Sequence, residues 1–176
     1  FMLSYMDGES AYLDFRERAP GKASRDMYLD EGGNVIPFSS LIGGKASGVP
    51  GTVRGMQAAH ERYGSLPWKT LLRPAIALAK DGFVVPPVLA AYAQKKVEEV
   101  DGATNFARYF GHMSAGKTFR QPELAVTLER IAGNPDSFYR GVTARQIVAQ
   151  MRKSGGLISQ EDLADYQARW RSPLQS

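Results

Sequence analysis

Asp14-Phe15-Arg16-Glu17-Arg18-Ala19-Pro20, and further on Ala46-Ser47-Gly48-Val49-Pro50-Gly51-Thr52-Val53-Arg54-Gly55, are the two stretches on which the reading of this chain turns. Upstream of the first, the apolar and aromatic segments Met2 to Tyr5 and Ala11 to Phe15 flank Met6-Asp7-Gly8-Glu9-Ser10. That pattern predicts a strand-turn-strand hairpin. The first stretch therefore leaves the end of a strand, and the second leads into a helix. Between them, residues 19–48 are rich in Gly, Ser, Lys and Asp, with Asp30-Glu31-Gly32-Gly33-Asn34 as a turn. A long irregular excursion inside a compact domain commonly carries function.

From residue 49 the signals turn helical. Val53, Met56, His60 and Tyr63 share one helical face, with Gly64 as the stop. Pro67 stands where a first-turn proline belongs, ahead of Leu71, Leu72, Ala75, Ile76 and Ala79, and Asp81-Gly82 ends that pattern. Pro74 inside it predicts a kink or a short break. Pro86-Pro87 starts a third helix towards Glu99. Residues 101–120 read as an aromatic loop, and Pro122 opens a helix carrying Leu124, Leu128 and Ile131, which Asn134-Pro135-Asp136 breaks. Thr143 with Gln146 forms a capping-box pattern before Ile147, Val148 and Met151, closed by Gly155-Gly156. Ser159 with Asp162 repeats it before Leu163 and Tyr166. The expected fold is α+β and helix-rich, with little strand.

The chain has 176 residues, enough for one ordinary domain that buries roughly 70% of the surface its unfolded form exposes. Hydrophobic residues at 43% and charged residues at 23% fit a globular protein and argue against disorder. The net charge of +4 is spread among acidic residues without a Lys/Arg block, so no nucleic-acid partner is expected. No stretch approaches the roughly 20 apolar residues of a membrane span. With no cysteine, disulfides, thiolate metal sites and a cysteine nucleophile are excluded, while the compartment stays open. Phe1 to Asp7 lacks the basic region followed by a full apolar region that marks a signal peptide. The chain opens on Phe1 within an apolar run and closes on Arg171 to Ser176, where a strand is expected to begin. Both ends suggest a piece of a longer polypeptide.

Few residues invite chemistry. Arg16 offers a planar, permanently charged fork that matches a carboxylate through two parallel hydrogen bonds. The bland alternative is a local salt bridge with Asp14 or Glu17, and Arg18 competes for the same role. Gly43-Gly44-Lys45-Ala46-Ser47-Gly48 invites a phosphate-loop reading that fails on spacing. Ser39 stands where the first glycine should be, and Ala46 where a hydroxyl is needed. Gly48, Gly51 and Gly55 read instead as permitting a tight loop and the close approach of a helix. His60, on the apolar stripe of its helix, reads as a satisfied imidazole. His112 has no second histidine near it, so no metal site is expected. No Gly-x-Ser-x-Gly elbow is present, and no serine or threonine has a base partner by spacing. No cofactor is implied.

Taken together, the two opening stretches resemble the large subunit of the gamma-glutamyltransferase (gamma-glutamyl transpeptidase) family. The likeness continues in order through Tyr63-Gly64-Ser65-Leu66-Pro67-Trp68, Pro74 to Ala79, Gly82-Phe83-Val84-Val85, Gln121 to Ala125, Thr127 to Ala132, Phe138-Tyr139-Arg140-Gly141, Gly155-Gly156-Leu157-Ile158 and Asp162 to Tyr166. It is weakest over residues 97–120.

The resemblance implies that residues 1–176 are part of the large-subunit region of a self-cleaving precursor with the four-layered αββα N-terminal-nucleophile hydrolase fold. The nucleophile is the first threonine of the small subunit, whose own α-amino group serves as base. A gamma-glutamyl group then passes from glutathione or a related amide to water or to an amino-acid or peptide acceptor. By the same resemblance Arg16, the arginine of the family's Asp-Phe-Arg-Glu motif, contacts the substrate α-carboxylate, with Asp14 or Glu17 orienting it. No catalytic residue maps onto this sequence. Its threonines, at 52, 70, 104, 118, 127 and 143, are all internal. The small subunit is the expected partner, the chain alone is expected to be inactive with exposed apolar faces, and the location is expected to be periplasmic or secreted. The alternatives are a related acylase of the same superfamily, such as a cephalosporin acylase or a capsule-attaching transpeptidase, and a non-catalytic helical module binding an acidic ligand.

Overall fold

The computed structural model describes residues 1–100 and 102–174. Strands β1 (Met2–Met6) and β2 (Glu9–Asp14) pair antiparallel, Met2 opposite Leu13 and Met6 opposite Glu9. Asp7 (φ 53°) and Gly8 (φ 86°) make the two-residue turn between them, both in the left-handed region that matches the twist of a hairpin. Alternation along β2 sends Ala11 and Leu13 into the interior. Leu3 and Tyr5 on β1 remain exposed. On the other edge of β2, β5 (Arg169–Arg171) adds antiparallel, Leu13 opposite Trp170, giving the sheet order β1-β2-β5. The predicted closing strand is therefore real and lies slightly earlier than expected, while Gln175 and Ser176 lie outside the described residues.

Helix α1 (Thr52–Tyr63) ends at Gly64, and α2 (Trp68–Asp81) ends at Gly82, whose φ of 87° suits glycine. Pro74 does not break α2, which runs through it. Helix α3 (Pro87–Glu99) begins on Pro87 as read from the sequence. Helix α2 lies along α5 (Pro122–Gly133), and the Trp68 indole N–H donates to the Ile131 carbonyl at 2.9 Å.

The aromatic stretch after Gly102 is more ordered than a loop, Asp101 itself lying outside the described residues. It holds α4 (Phe106–Phe110) and β4 (Thr118–Phe119), which pairs antiparallel with β3 (Phe83–Val84). Phe110 and Phe83 each lie 6.0 Å, ring centroid to ring centroid, from buried Phe119, and Val85, Ala90, Ala93 and Met113 complete this small core. Such short elements carry no periodicity in sequence; aromatic burial holds them.

The predicted break at Asn134-Pro135-Asp136 is present, and a single helical turn, α6 (Ser137–Arg140), follows it before α7 (Val142–Lys153) and α8 (Gln160–Ala164). Ser159 and Asp162 form the predicted capping box. Thr143 and Gln146 do not: Gly141 occupies the N-cap of α7, and Thr143 lies inside the helix with its hydroxyl buried and unpaired. Gln146 instead accepts from Arg130 at 3.2 Å. The larger core gathers Val49, Tyr139, Ala144, Val148, Ile158, Leu163 and Tyr166, and lies against the segment that leads from β2 to the long excursion.

Candidate functional site

Arg16 lies two residues past the end of β2, and its main chain is held from both sides. Asp14, the last residue of the strand, accepts the Arg16 N–H on Oδ1 at 3.2 Å. Its Oδ2 accepts from Nε of Arg171 on β5 at 2.9 Å. The Arg16 N–H, and after it the Arg171 side chain, hold the Asp14 carboxyl below the usual carboxylate range. From the other direction the Tyr166 hydroxyl donates to the Arg16 carbonyl at 2.8 Å.

The Arg16 side chain is left open to solvent, 78% exposed. Its one ion pair among the described residues is with the adjacent Glu17, at 3.6 Å. An exposed pair of that length contributes little and yields readily to a better partner. Asp14 spends its carboxylate on the Arg16 backbone and on Arg171, so it orients the Arg16 main chain, not its side chain.

Arg18, the competing guanidinium, is absorbed by the framework. Its N–H donates to the Val49 carbonyl at 3.2 Å and its carbonyl accepts the Val49 N–H at 2.7 Å, an antiparallel bridge that closes the excursion of residues 19–48 at its base. Its side chain donates to the Gln167 carbonyl at 3.1 Å and covers the Tyr166 ring at 5.3 Å. Composition cannot separate Arg16 from Arg18; the hydrogen bonds do.

The second stretch supplies the floor beneath Phe15 and Arg16. A Cβ on Gly51 would overlap the Tyr166 hydroxyl and the Phe15 carbonyl, and one on Gly55 would overlap the Phe15 ring. The glycines thus permit close approach of α1 to the end of β2, as their spacing suggested. Tyr139 is fully buried; its hydroxyl donates to the Pro50 carbonyl at 3.1 Å and accepts the Arg54 N–H at 3.0 Å. Its ring stacks on that of Tyr166, centroids 6.0 Å apart and planes within 12°. The Arg54 guanidinium lies over the Tyr139 ring, 4.4 Å from its centroid, and pairs with Asp136. Burial pushes the Tyr139 phenol up to about 12, so it stays neutral and able to donate throughout the ordinary pH range. Burial also raises the Tyr166 phenol.

The remaining candidates contact the framework. Gly44 opens a turn of 3-10 helix (Gly44–Ala46) and is buried against Ser154 and Gly156, so the glycine-rich segment packs on the end of α7. His60 Nε2 lies 2.7 Å from the Leu66 carbonyl, with Trp68 edge-on at 5.4 Å. His112 lies against Phe119. Among the described residues no group of three or more His, Cys, Asp or Glu is placed to hold a metal ion. The contacts that Tyr139 and Tyr166 make with this segment were not legible, because their partners are far away in sequence.

The sequence profile of gamma-glutamyltranspeptidases matches residues 1–176. The chain belongs to the gamma-glutamyltranspeptidase family. The glutathione hydrolase proenzyme of Pseudomonas aeruginosa is 55% identical over 175 residues, covering 99% of this chain and 31% of that protein. That of Escherichia coli is 43% identical over 174 residues, covering 96% and 30%. Among solved structures, the gamma-glutamyltranspeptidase from Pseudomonas nitroreducens complexed with L-DON superposes with a TM-score of 0.95 at 53% identity, covering 98% of this chain and 52% of that one. This gamma-glutamyltranspeptidase segment thus spans less than a third of the length of the curated relatives it matches. Its helix-rich α+β architecture is that of part of an N-terminal-nucleophile hydrolase fold, as the opening stretches implied.

Proposed function

We propose that residues 1–176 are part of the large-subunit region of a gamma-glutamyl transferase/hydrolase, and that Arg16 receives the α-carboxylate of the gamma-glutamyl donor. One observation carries this reading: an arginine side chain 78% exposed on a main chain tied at both its N–H and its carbonyl. Such a group is directed by the backbone while its fork stays available for a bidentate carboxylate. Belonging to the family supports the donor class, and glutathione is the natural example.

In this account the chemistry lies on a partner, the small subunit of the same precursor. The hydroxyl of its N-terminal threonine attacks the γ-carbonyl of the donor, an ester forms, the amide C–N bond breaks, and the amine leaves with the proton. Water or an acceptor amine then attacks the ester, releasing glutamate or a new gamma-glutamyl compound and restoring the threonine. Arg16 holds the donor throughout, fixing the distance between its carboxylate and the reacting carbonyl. Exposed Leu3 and Tyr5 on β1 give the small subunit an apolar surface to cover. The reading extends to a periplasmic or secreted location; no helix among the described residues is long and apolar enough to cross a membrane.

Steady-state kinetics on gamma-glutamyl-p-nitroanilide test it. In the processed protein, Arg16→Ala should raise KM about 10-fold to 100-fold, the range expected when a charge-assisted hydrogen-bonded pair is lost. The isolated 176-residue chain should release no nitroaniline. A KM for Arg16→Ala within about twofold of the parent, or turnover by the isolated chain, contradicts the proposal.

A further inference from the structure

We propose that Tyr166 is a positioning residue for donor binding: its hydroxyl fixes the Arg16 main chain so that the guanidinium is presented in one direction. This rests on the reading of Arg16 given above. The Arg16 side chain has no wall to lean on, being 78% exposed with a single weak ion pair. A long side chain of this kind starts from wherever its backbone points, so the ties at residue 16 set its reach. Asp14 holds the N–H and Tyr166 holds the carbonyl, at 3.2 Å and 2.8 Å.

Tyr166 is built for a fixed hydroxyl. It is 3% exposed, and its ring is stacked on Tyr139, itself pinned through Pro50 and Arg54. Gly51 leaves the gap through which the phenol reaches the Phe15–Arg16 link, since a Cβ there would overlap the hydroxyl. A role confined to the core needs the ring alone. The hydroxyl and the gap made for it are what point to Arg16.

Tyr166→Phe keeps the ring and removes the hydroxyl. In the processed protein, with gamma-glutamyl-p-nitroanilide as donor, it should raise KM about threefold to tenfold, the worth of one neutral hydrogen bond, with kcat within about twofold. Placed on top of Arg16→Ala, the same change should lower kcat/KM by no more than about 1.5-fold, because the group it positions is gone. Three results overturn the proposal: an unchanged KM, an equal loss in the Arg16→Ala background, or a Tyr166→Phe protein that fails to fold or process, which would assign the hydroxyl to folding. Arg16→Ala alone separates the two levels. If it leaves KM unchanged, the reading of Arg16 fails. If it raises KM and Tyr166→Phe does not, only the positioning role of Tyr166 fails.

Discussion

At the scale of single residues, glycine positions decide how closely α1 approaches the end of β2. Gly55 lies inside α1, where exchanging glycine for alanine would ordinarily gain about 1 kcal/mol of helix propensity. Here the added Cβ would overlap the Phe15 ring, and overpacking typically costs about 1–3 kcal/mol. The steric effect wins, so Gly55→Ala should lower stability in urea denaturation and loosen the strand exit that bears Arg16. Gly133, at the end of α5, has open space where a Cβ would stand. Gly133→Ala is the control and should be neutral or mildly stabilising. A Gly55→Ala protein as stable as its parent would show that α1 gives way to Phe15 and is not locked against it.

At the scale of elements, α8 shows a cap that joins two parts of the chain. The Ser159 hydroxyl accepts the Asp162 N–H at 3.1 Å, and Asp162 Oδ2 accepts the Ser159 N–H at 2.8 Å. Asp162 Oδ1 also accepts the Gly21 N–H at 2.8 Å, tying the first leg of the long excursion to the helix. Burial pushes the Asp162 carboxyl up, but the donors of Gly21 and Ser159 outweigh it and hold the group below its ordinary range. A carboxyl lowered in the folded state stabilises fully above its unfolded value, near pH 4, and that stabilisation is lost as pH falls through the folded value. Urea midpoints measured from pH 7 down to pH 3 should therefore fall less steeply for Asp162→Asn than for the parent. Identical acid limbs would contradict this.

The same helix marks what could be read from sequence. The capping pattern at Ser159 was legible because a serine in extended backbone enters a helix there, with Asp162 in the N3 place. The matching pattern at Thr143 misled, since Gly141, which closes α6, caps the next helix two residues earlier and draws Thr143 inside. The hairpin, α1, α3 and α5 were legible from their own turn glycines, prolines and apolar stripes. Helices α4 and α6 and strands β3 and β4 are too short to carry a period, and packing of Phe119 and Tyr139 holds them. In the site, Arg16 was legible as a candidate. Its separation from Arg18 and the roles of Tyr139 and Tyr166 were not, for the Tyr166–Arg16 contact spans 150 residues.

At the scale of the whole molecule, polar capping and buried aromatic stacks coexist with much exposed apolar surface. Leu3 and Tyr5 on the sheet, Phe38 and Leu41 on the excursion, and Leu71 and Leu78 on α2 are all exposed. Exposed apolar side chains that gather into a contiguous patch mark places where another part of an assembly sits. The proposed large-subunit reading, with a small subunit covering these side chains, accounts for them together with the open Arg16 side chain. The denaturing intact mass of the protein from its native source tests this most directly. The account predicts two polypeptides, a larger one containing these residues and a second beginning with threonine. A sole species at 19.3 kDa would contradict it.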